Sequence, residues 1–252
     1  MIEVLILSLV QGITEFLPIS SSSHLILFSE YMDFEKQDLS IDVSLHIGSF
    51  IAVIIYFYRD FLSVFENRKF FFKIIASSIP IMLAGYLLVE SNFIEELRSV
   101  KIIGWTTLIF GVLLFISDKF SLEKSIKKDF TYKSAIIIGF FQIASLVPGV
   151  SRSGITITAS RFLHFKRFDS AKISFLLSIP TLGAVTIYGL KEIVSSEDIY
   201  FSALNLIAIF LSFIFSLLTI KYFLRYVQNF NLNLFVFYRI ILGLTLIFFA
   251  YL

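Results

Sequence analysis

The sequence predicts an all-α polytopic membrane protein. It is organised as an inverted repeat, each half one re-entrant helical hairpin followed by three transmembrane helices. Three observations predict this. The chain of 252 residues is 57% hydrophobic, with 31 Phe and only 4 Pro, and its mean hydropathy is +0.87; soluble domains hold about 45–50% apolar residues. Its apolar residues fall into six long stretches and two broken ones. Its basic residues divide unevenly between the connecting segments. The chain has no cysteine, which excludes disulfide and thiol chemistry.

The elements follow in order. The opening string MIEVLILSLVQGITEF lacks a basic n-region and a small-residue cleavage site, so it is expected to be retained structure. Residues 2–17 reach Pro18 and four serines, then resume with HLILFSEYM. Residues 134–147 reach PGVSRSG, then resume with ITITASRFL. Each reads as two half-helices joined by polar backbone, which lies at membrane depth only where protein or water covers it. The six unbroken stretches run near 42–58, 74–89, 102–117, 173–190, 203–220 and 234–252. At about 1.5 Å per residue each approaches the roughly 30 Å of a bilayer core.

Charge distribution favours hairpins at the two broken stretches. With two hairpins, segments 59–73, 118–133, 164–172 and 221–233 share a side and hold 14 Lys and Arg. Segments 29–42, 90–101 and 191–202 face the other side and hold 4. The richer side is cytoplasmic by the positive-inside rule, so both termini lie outside. Were the broken stretches full spans with surface loops, the charge-rich segments would no longer share a side.

The order hairpin, span, span, span then occurs twice. It divides the chain into a first repeat at 1–117 (hairpin 2–32), a cytoplasmic linker at 118–133, and a second repeat at 134–252 (hairpin 134–163). Three spans is an odd number, so the halves are inverted. QGITEFLPISSS at 11–22 echoes QIASLVPGVSRS at 142–153, and SSIPIMLAG at 77–85 echoes LSIPTLGAV at 177–185. Inverted repeats with broken helices place sites near the midplane, at the repeat interface.

The breaks carry the chemistry. The first holds Gln11, Glu15, Ser20, Ser21, Ser22, Ser23 and His24. Gln11 and Glu15 share a helix face, and an ionisable residue within a membrane points to a polar interior or a functional path. A histidine beside hydroxyls suits acid/base or nucleophilic chemistry. Serines capping a helix end around a satisfied histidine would give the same string. The second break holds Ser151, Arg152, Ser153 and Thr156 after Pro148 and Gly149. A planar guanidinium and a helix N-terminus both suit phosphate oxygens, and pairing of Arg152 with Glu15 is the structural alternative. Arg161 and Arg239 lie among fewer polar residues and read as structural or headgroup-contacting. His46 reads as structural, and His164 as a solvated residue of a basic segment.

QGITEFLPISSSSHL together with PGVSRSGIT resembles the bacterial undecaprenyl-diphosphate phosphatases of the bacitracin-resistance (BacA/UppP) type. That family carries an (E/Q)-x-x-x-E motif before a proline, serines and a histidine, and a P-G-x-S-R-S-x-x-T motif. Here these are Gln11 to Glu15, Pro18 through His24, and Pro148 to Thr156. The resemblance covers essentially the whole chain. Two departures stand out: Ser23 precedes the histidine where many relatives have glycine, and Gln11 stands where many have glutamate.

The resemblance implies hydrolysis of undecaprenyl diphosphate to the monophosphate and inorganic phosphate. Such a reaction recycles the lipid carrier of cell-wall synthesis and opposes bacitracin. It also implies a multi-pass protein of the bacterial plasma membrane whose site opens outward. Glu15, Ser21, His24 and Arg152 are the expected catalytic residues, and Gln11, Ser20, Ser22, Ser151, Ser153 and Thr156 the expected substrate-binding ones. Either Ser21 attacks, with His24 or Glu15 taking its proton, or one of these two activates water. Glu15, with Gln11, is a candidate ligand for Mg²⁺ or Ca²⁺, which favour oxygen donors. The expected partners are a polyprenyl diphosphate and membrane lipids, not nucleic acid, and a homodimer is left open. A flippase or secondary transporter using the same interface, with Glu15 as a proton-coupling site, is the main competing class. A non-catalytic lipid-binding protein is the third.

Overall fold

A computed structural model describes residues 1–31, 39–62, 68–90, 96–195 and 202–252. Twelve α-helices run through them. In chain order they are α1 (Ile2–Thr14), α2 (Ser21–Tyr31), α3 (Leu39–Tyr56), α4 (Tyr58–Leu62), α5 (Arg68–Glu90), α6 (Val100–Asp118), α7 (Ile126–Asp129), α8 (Tyr132–Ile143), α9 (Arg152–Phe162), α10 (Arg167–Ser195), α11 (Ala203–Asn229) and α12 (Asn233–Ala250). Among the described residues six of these, α3, α5, α6, α10, α11 and α12, are long and apolar enough to cross a membrane. They coincide with the six unbroken stretches of the sequence. Residue 32, the expected end of the first hairpin, lies outside the described residues.

The two broken stretches become α1–α2 and α8–α9. Pro18 lacks the N–H and the rotational freedom that would continue α1. Ser20 then turns the chain with φ of 75°, and Ser151 does the same with φ of 70°. Non-glycine residues in this left-handed region cost about 1–3 kcal/mol and persist only where their surroundings fix them. Each serine lies nine residues after a buried glutamine, Gln11 and Gln142, and directly before a helix. Ser151 caps α9 by accepting from the Gly154 amide at 3.1 Å.

Packing interleaves the two halves of the chain. Helix α1 lies on α11 and α8 lies on α5, while α3 pairs with α10 and α6 with α12. Small residues permit the close crossings: a Cβ on Gly12 would sit 2.5 Å from the Phe215 Cβ of α11, and one on Gly139 would sit 2.3 Å from the Ser77 carbonyl of α5. Close backbone approach is how membrane helices gain contact when lipid is as apolar as their side chains. The first break is held to the core by Phe16, fully buried, whose ring meets Phe175 of α10 edge-on at 5.3 Å.

The echo between the two Ser-Ile-Pro strings does not survive as evidence of duplication. Pro80 lies within α5 and Pro180 within α10. These are the second long helix of one half and the first of the other, so the strings occupy different places in the element order. Proline inside a long apolar helix recurs because neighbouring helices and hydroxyls take up the freed backbone groups.

Candidate functional site

The two breaks meet. Glu15, at the end of α1, accepts from Arg152 Nη2 of α9 through Oε1 at 2.7 Å. Its other oxygen, Oε2, accepts from Ser21 Oγ at 2.7 Å and from Gln11 Nε2 at 3.1 Å. Ser21 is the first residue of α2 and Arg152 the first of α9, so two helix N-termini converge on one carboxylate. The positive ends of both helices favour a negative group there. The pair is enclosed but not sealed, with side-chain exposures of 14% for Arg152 and 7% for Glu15.

Gln11 extends the cluster. Its Nε2 also lies 3.1 Å from His46 Nδ1 on α3. Its Oε1 is buried with no hydrogen-bond partner among the described residues. Sequence reading treated His46 as a structural residue and so missed its place beside Gln11. Its partner is 35 positions away, too far for spacing to reveal.

His24 is turned away from this carboxylate. Its Nδ1 lies 2.6 Å from the Ser20 carbonyl and its Nε2 2.5 Å from the Tyr238 hydroxyl of α12. The two rings stack with centroids 5.7 Å apart. His24 still shares a face of α2 with Ser21, one helical turn earlier. Tyr238 was not among the sequence candidates. Ser23 is helical and buried, and its Oγ meets Ser20 Oγ at 2.9 Å. Its helical conformation requires no glycine at this position.

The hydroxyls of the second break are engaged within the protein. Ser153 Oγ donates to the Leu17 carbonyl at 2.7 Å, tying one break to the other. Thr156 Oγ1, fully buried, lies 2.8 Å from both the Arg152 carbonyl and Ser174 Oγ, donating its one proton to one and accepting from or sharing with the other. Ser151 Oγ serves its cap and lies 3.2 Å from Ser153 Oγ. Ser20 Oγ also lies 3.3 Å from Ser22 Oγ, and Ser22 is exposed. The structure thus brings Gln11, Glu15, Ser21 and Arg152 together, with Ser151, Ser153 and Thr156 hydrogen-bonded within the protein beside them.

Six long apolar helices around a carboxylate–guanidinium centre, set at two interior helix breaks, define a multi-pass membrane protein with a polar core site. The chain belongs to the family described as bacitracin resistance protein BacA, whose model matches residues 4–245. Curated relatives are named undecaprenyl-diphosphatase. The one from Pelagibacter ubique (strain HTCC1062) is 47% identical over 251 residues, covering 99% of this chain and 98% of the relative. Those from Teredinibacter turnerae (strain ATCC 39867 / T7901), 41% identical and covering 98% of each chain, and Jannaschia sp. (strain CCS1), 38% identical and covering 98% of this chain and 97% of the relative, bear the same name.

Proposed function

We infer that this protein hydrolyses undecaprenyl diphosphate to undecaprenyl phosphate and inorganic phosphate, and so recycles the lipid carrier of cell-wall synthesis. The reading rests on family membership and on relatives of that name across nearly the full chain. The observation that carries the chemistry is the Glu15 carboxylate, which meets the Ser21 hydroxyl at 2.7 Å through one oxygen and the Arg152 guanidinium at 2.7 Å through the other.

In the proposed reaction the diphosphate displaces Glu15 from Arg152. The guanidinium then holds the terminal phosphate and offsets charge developing on it. The N-terminal amides of α2 and the exposed Ser22 orient its oxygens. Ser21 Oγ attacks the terminal phosphorus, and its proton passes to Glu15, already its hydrogen-bond acceptor. The bond from that phosphorus to the bridging oxygen breaks, and undecaprenyl phosphate leaves. Water then attacks the phosphoserine and gives a proton to His24 Nε2, which leaves the Tyr238 hydroxyl to take it. The bond from phosphorus to Ser21 Oγ breaks, Glu15 returns its proton to that oxygen, inorganic phosphate departs and His24 releases its proton to solvent.

A divalent cation fits the same centre. Gln11 Oε1 is a buried carbonyl oxygen without a hydrogen-bond partner among the described residues, next to the Glu15 carboxylate. Among the described residues no three His, Asp or Glu cluster as ligands. A Mg²⁺ or Ca²⁺ ion held by Glu15 and Gln11 would complete its shell with water and substrate oxygens. When bound, the ion neutralises diphosphate charge.

On this reading the protein sits in the bacterial plasma membrane with its basic segments cytoplasmic, α1–α2 and α8–α9 as re-entrant hairpins and the site opening outward. The exchanged packing, α1 on α11 and α8 on α5, and the matched left-handed serines support an inverted repeat. Phosphate release from undecaprenyl diphosphate by purified protein in detergent tests the function. Release with no membrane gradient is the expected result. No release, with lipid translocation in liposomes, would assign the fold to a flippase instead.

A further inference from the structure

Arg239 is the feature the proposed reaction leaves unused. It lies within α12, fully buried in an apolar segment. None of the ion pairs among the described residues includes it. Among the described residues its side chain donates only to backbone carbonyls. Nη1 reaches the Pro18 carbonyl at 3.1 Å and the Val150 carbonyl at 3.0 Å. Nη2 reaches the Gly149 carbonyl at 2.8 Å, and Nε the Thr107 carbonyl of α6 at 3.2 Å. Pro18 belongs to the first break; Gly149 and Val150 belong to the second.

A buried charge without a counterion is expensive in a membrane. A purely structural need could be met by apolar packing of similar volume, often at no loss of stability. What apolar packing cannot do is fix two irregular backbones in register. A planar guanidinium can, because its donors are rigidly disposed in one plane. The register matters two or three residues further along each break. Pro18 precedes Ser20 and Ser21, and Val150 precedes Ser151 and Arg152. Ser21 and Arg152 must both reach Glu15, and each does so at 2.7 Å. The neighbouring residue on α12, Tyr238, holds His24 at 2.5 Å.

We propose that Arg239 is a positioning residue for hydrolysis: it clamps the Pro18 carbonyl of one break to the Gly149 and Val150 carbonyls of the other, which sets Ser21 and Arg152 on opposite sides of the reacting phosphorus. The proposal rests on the phosphatase reading. It separates Arg239 from Arg161, whose contacts lie at the opposite end of α9 from the breaks.

Two variants test it in the full-length protein in detergent, with undecaprenyl diphosphate as substrate. Arg239→Lys keeps a cation but loses the fork. Gly111→Ala keeps Arg239 and displaces it, because a Cβ on Gly111 would lie 2.9 Å from the Arg239 Cβ. Ile138→Ala, a buried core change away from the breaks, reports on destabilisation alone. Misplacing reacting groups by about 1 Å costs on the order of 10²-fold in rate. Arg239→Lys is expected to lower kcat about 10²-fold with KM within about threefold, the signature of an interaction needed in the transition state. Gly111→Ala is expected to move kcat in the same direction by a smaller factor. Ile138→Ala is expected to lower Tm with kcat per folded molecule unchanged. Wild-type turnover in a folded Arg239→Lys protein overturns the clamp. If that variant does not fold, wild-type kcat in Gly111→Ala overturns it. A loss in either variant that merely follows Tm, as in Ile138→Ala, also overturns it. Absence of phosphate release by the wild type would instead refute the phosphatase reading.

Discussion

The two ends of α9 carry two arginines with opposite fates. Arg161, at the C-terminal end, is fully buried and every donor has an acceptor. It pairs with Asp118 at 3.4 Å and bonds the carbonyls of Asp118, Phe120, Ser121 and Phe165. Asp118 is equally occupied, accepting from Arg167 at 2.7 Å and from the Leu232 amide at 3.1 Å. This knot fastens the ends of α6, α9 and α10 and the turn before α12. Arg152, at the N-terminal end, reaches Glu15 at 2.7 Å and the Ser174 carbonyl at 3.5 Å, and stays partly exposed. Both are arginine–carboxylate pairs in the same helix. The saturated one is architecture, and the one with donors to spare is able to take a ligand.

Substitutions that break this contrast should differ in kind. Ser21→Ala removes the oxygen proposed to attack and is expected to reduce phosphate release at least about 10³-fold, with no phosphate trapped on the protein in an acid quench. Glu15→Gln keeps the side-chain shape but not the base, and is expected to cost about 10²–10⁴-fold in kcat. His24→Gln is expected to slow turnover about 10²-fold while phosphoserine accumulates, because only the second step needs it; the same acid quench, now with label retained, checks this. Arg161→Ala acts on stability. Leaving Asp118 buried with part of its partner removed is expected to cost about 3–5 kcal/mol, read as a lower thermal transition, with turnover per folded molecule preserved. Ser153→Ala removes one bond between the breaks, at about 1 kcal/mol, and should give the smallest shift in the same melting assay.

Much of this was legible in the sequence because the membrane imposes one-dimensional rules. Length and apolarity locate the six spans, and Pro18 and the PGVSRS string mark where α1 and α8 stop. Glu15 and Arg152 stand out since ionisable residues are rare among apolar ones. What could not be read depends on partners brought by distant elements. His46 meets Gln11 across two helices, and Tyr238 meets His24 from the last helix. Likewise the contacts of Ser153 with the Leu17 carbonyl and of Thr156 with Ser174 join elements far apart in the chain, and only the packing reveals them. The paired Ser-Ile-Pro strings misled because a short apolar string says nothing about which helix of a repeat it occupies.

Arg152→Ala, purified in detergent and assayed for phosphate release from undecaprenyl diphosphate beside the wild type, tests the centre most directly. The account predicts a folded protein whose turnover falls on the order of 10³-fold or more, as when a charge-stabilising arginine is removed from phosphoryl transfer. Near-normal turnover in that folded variant would contradict it.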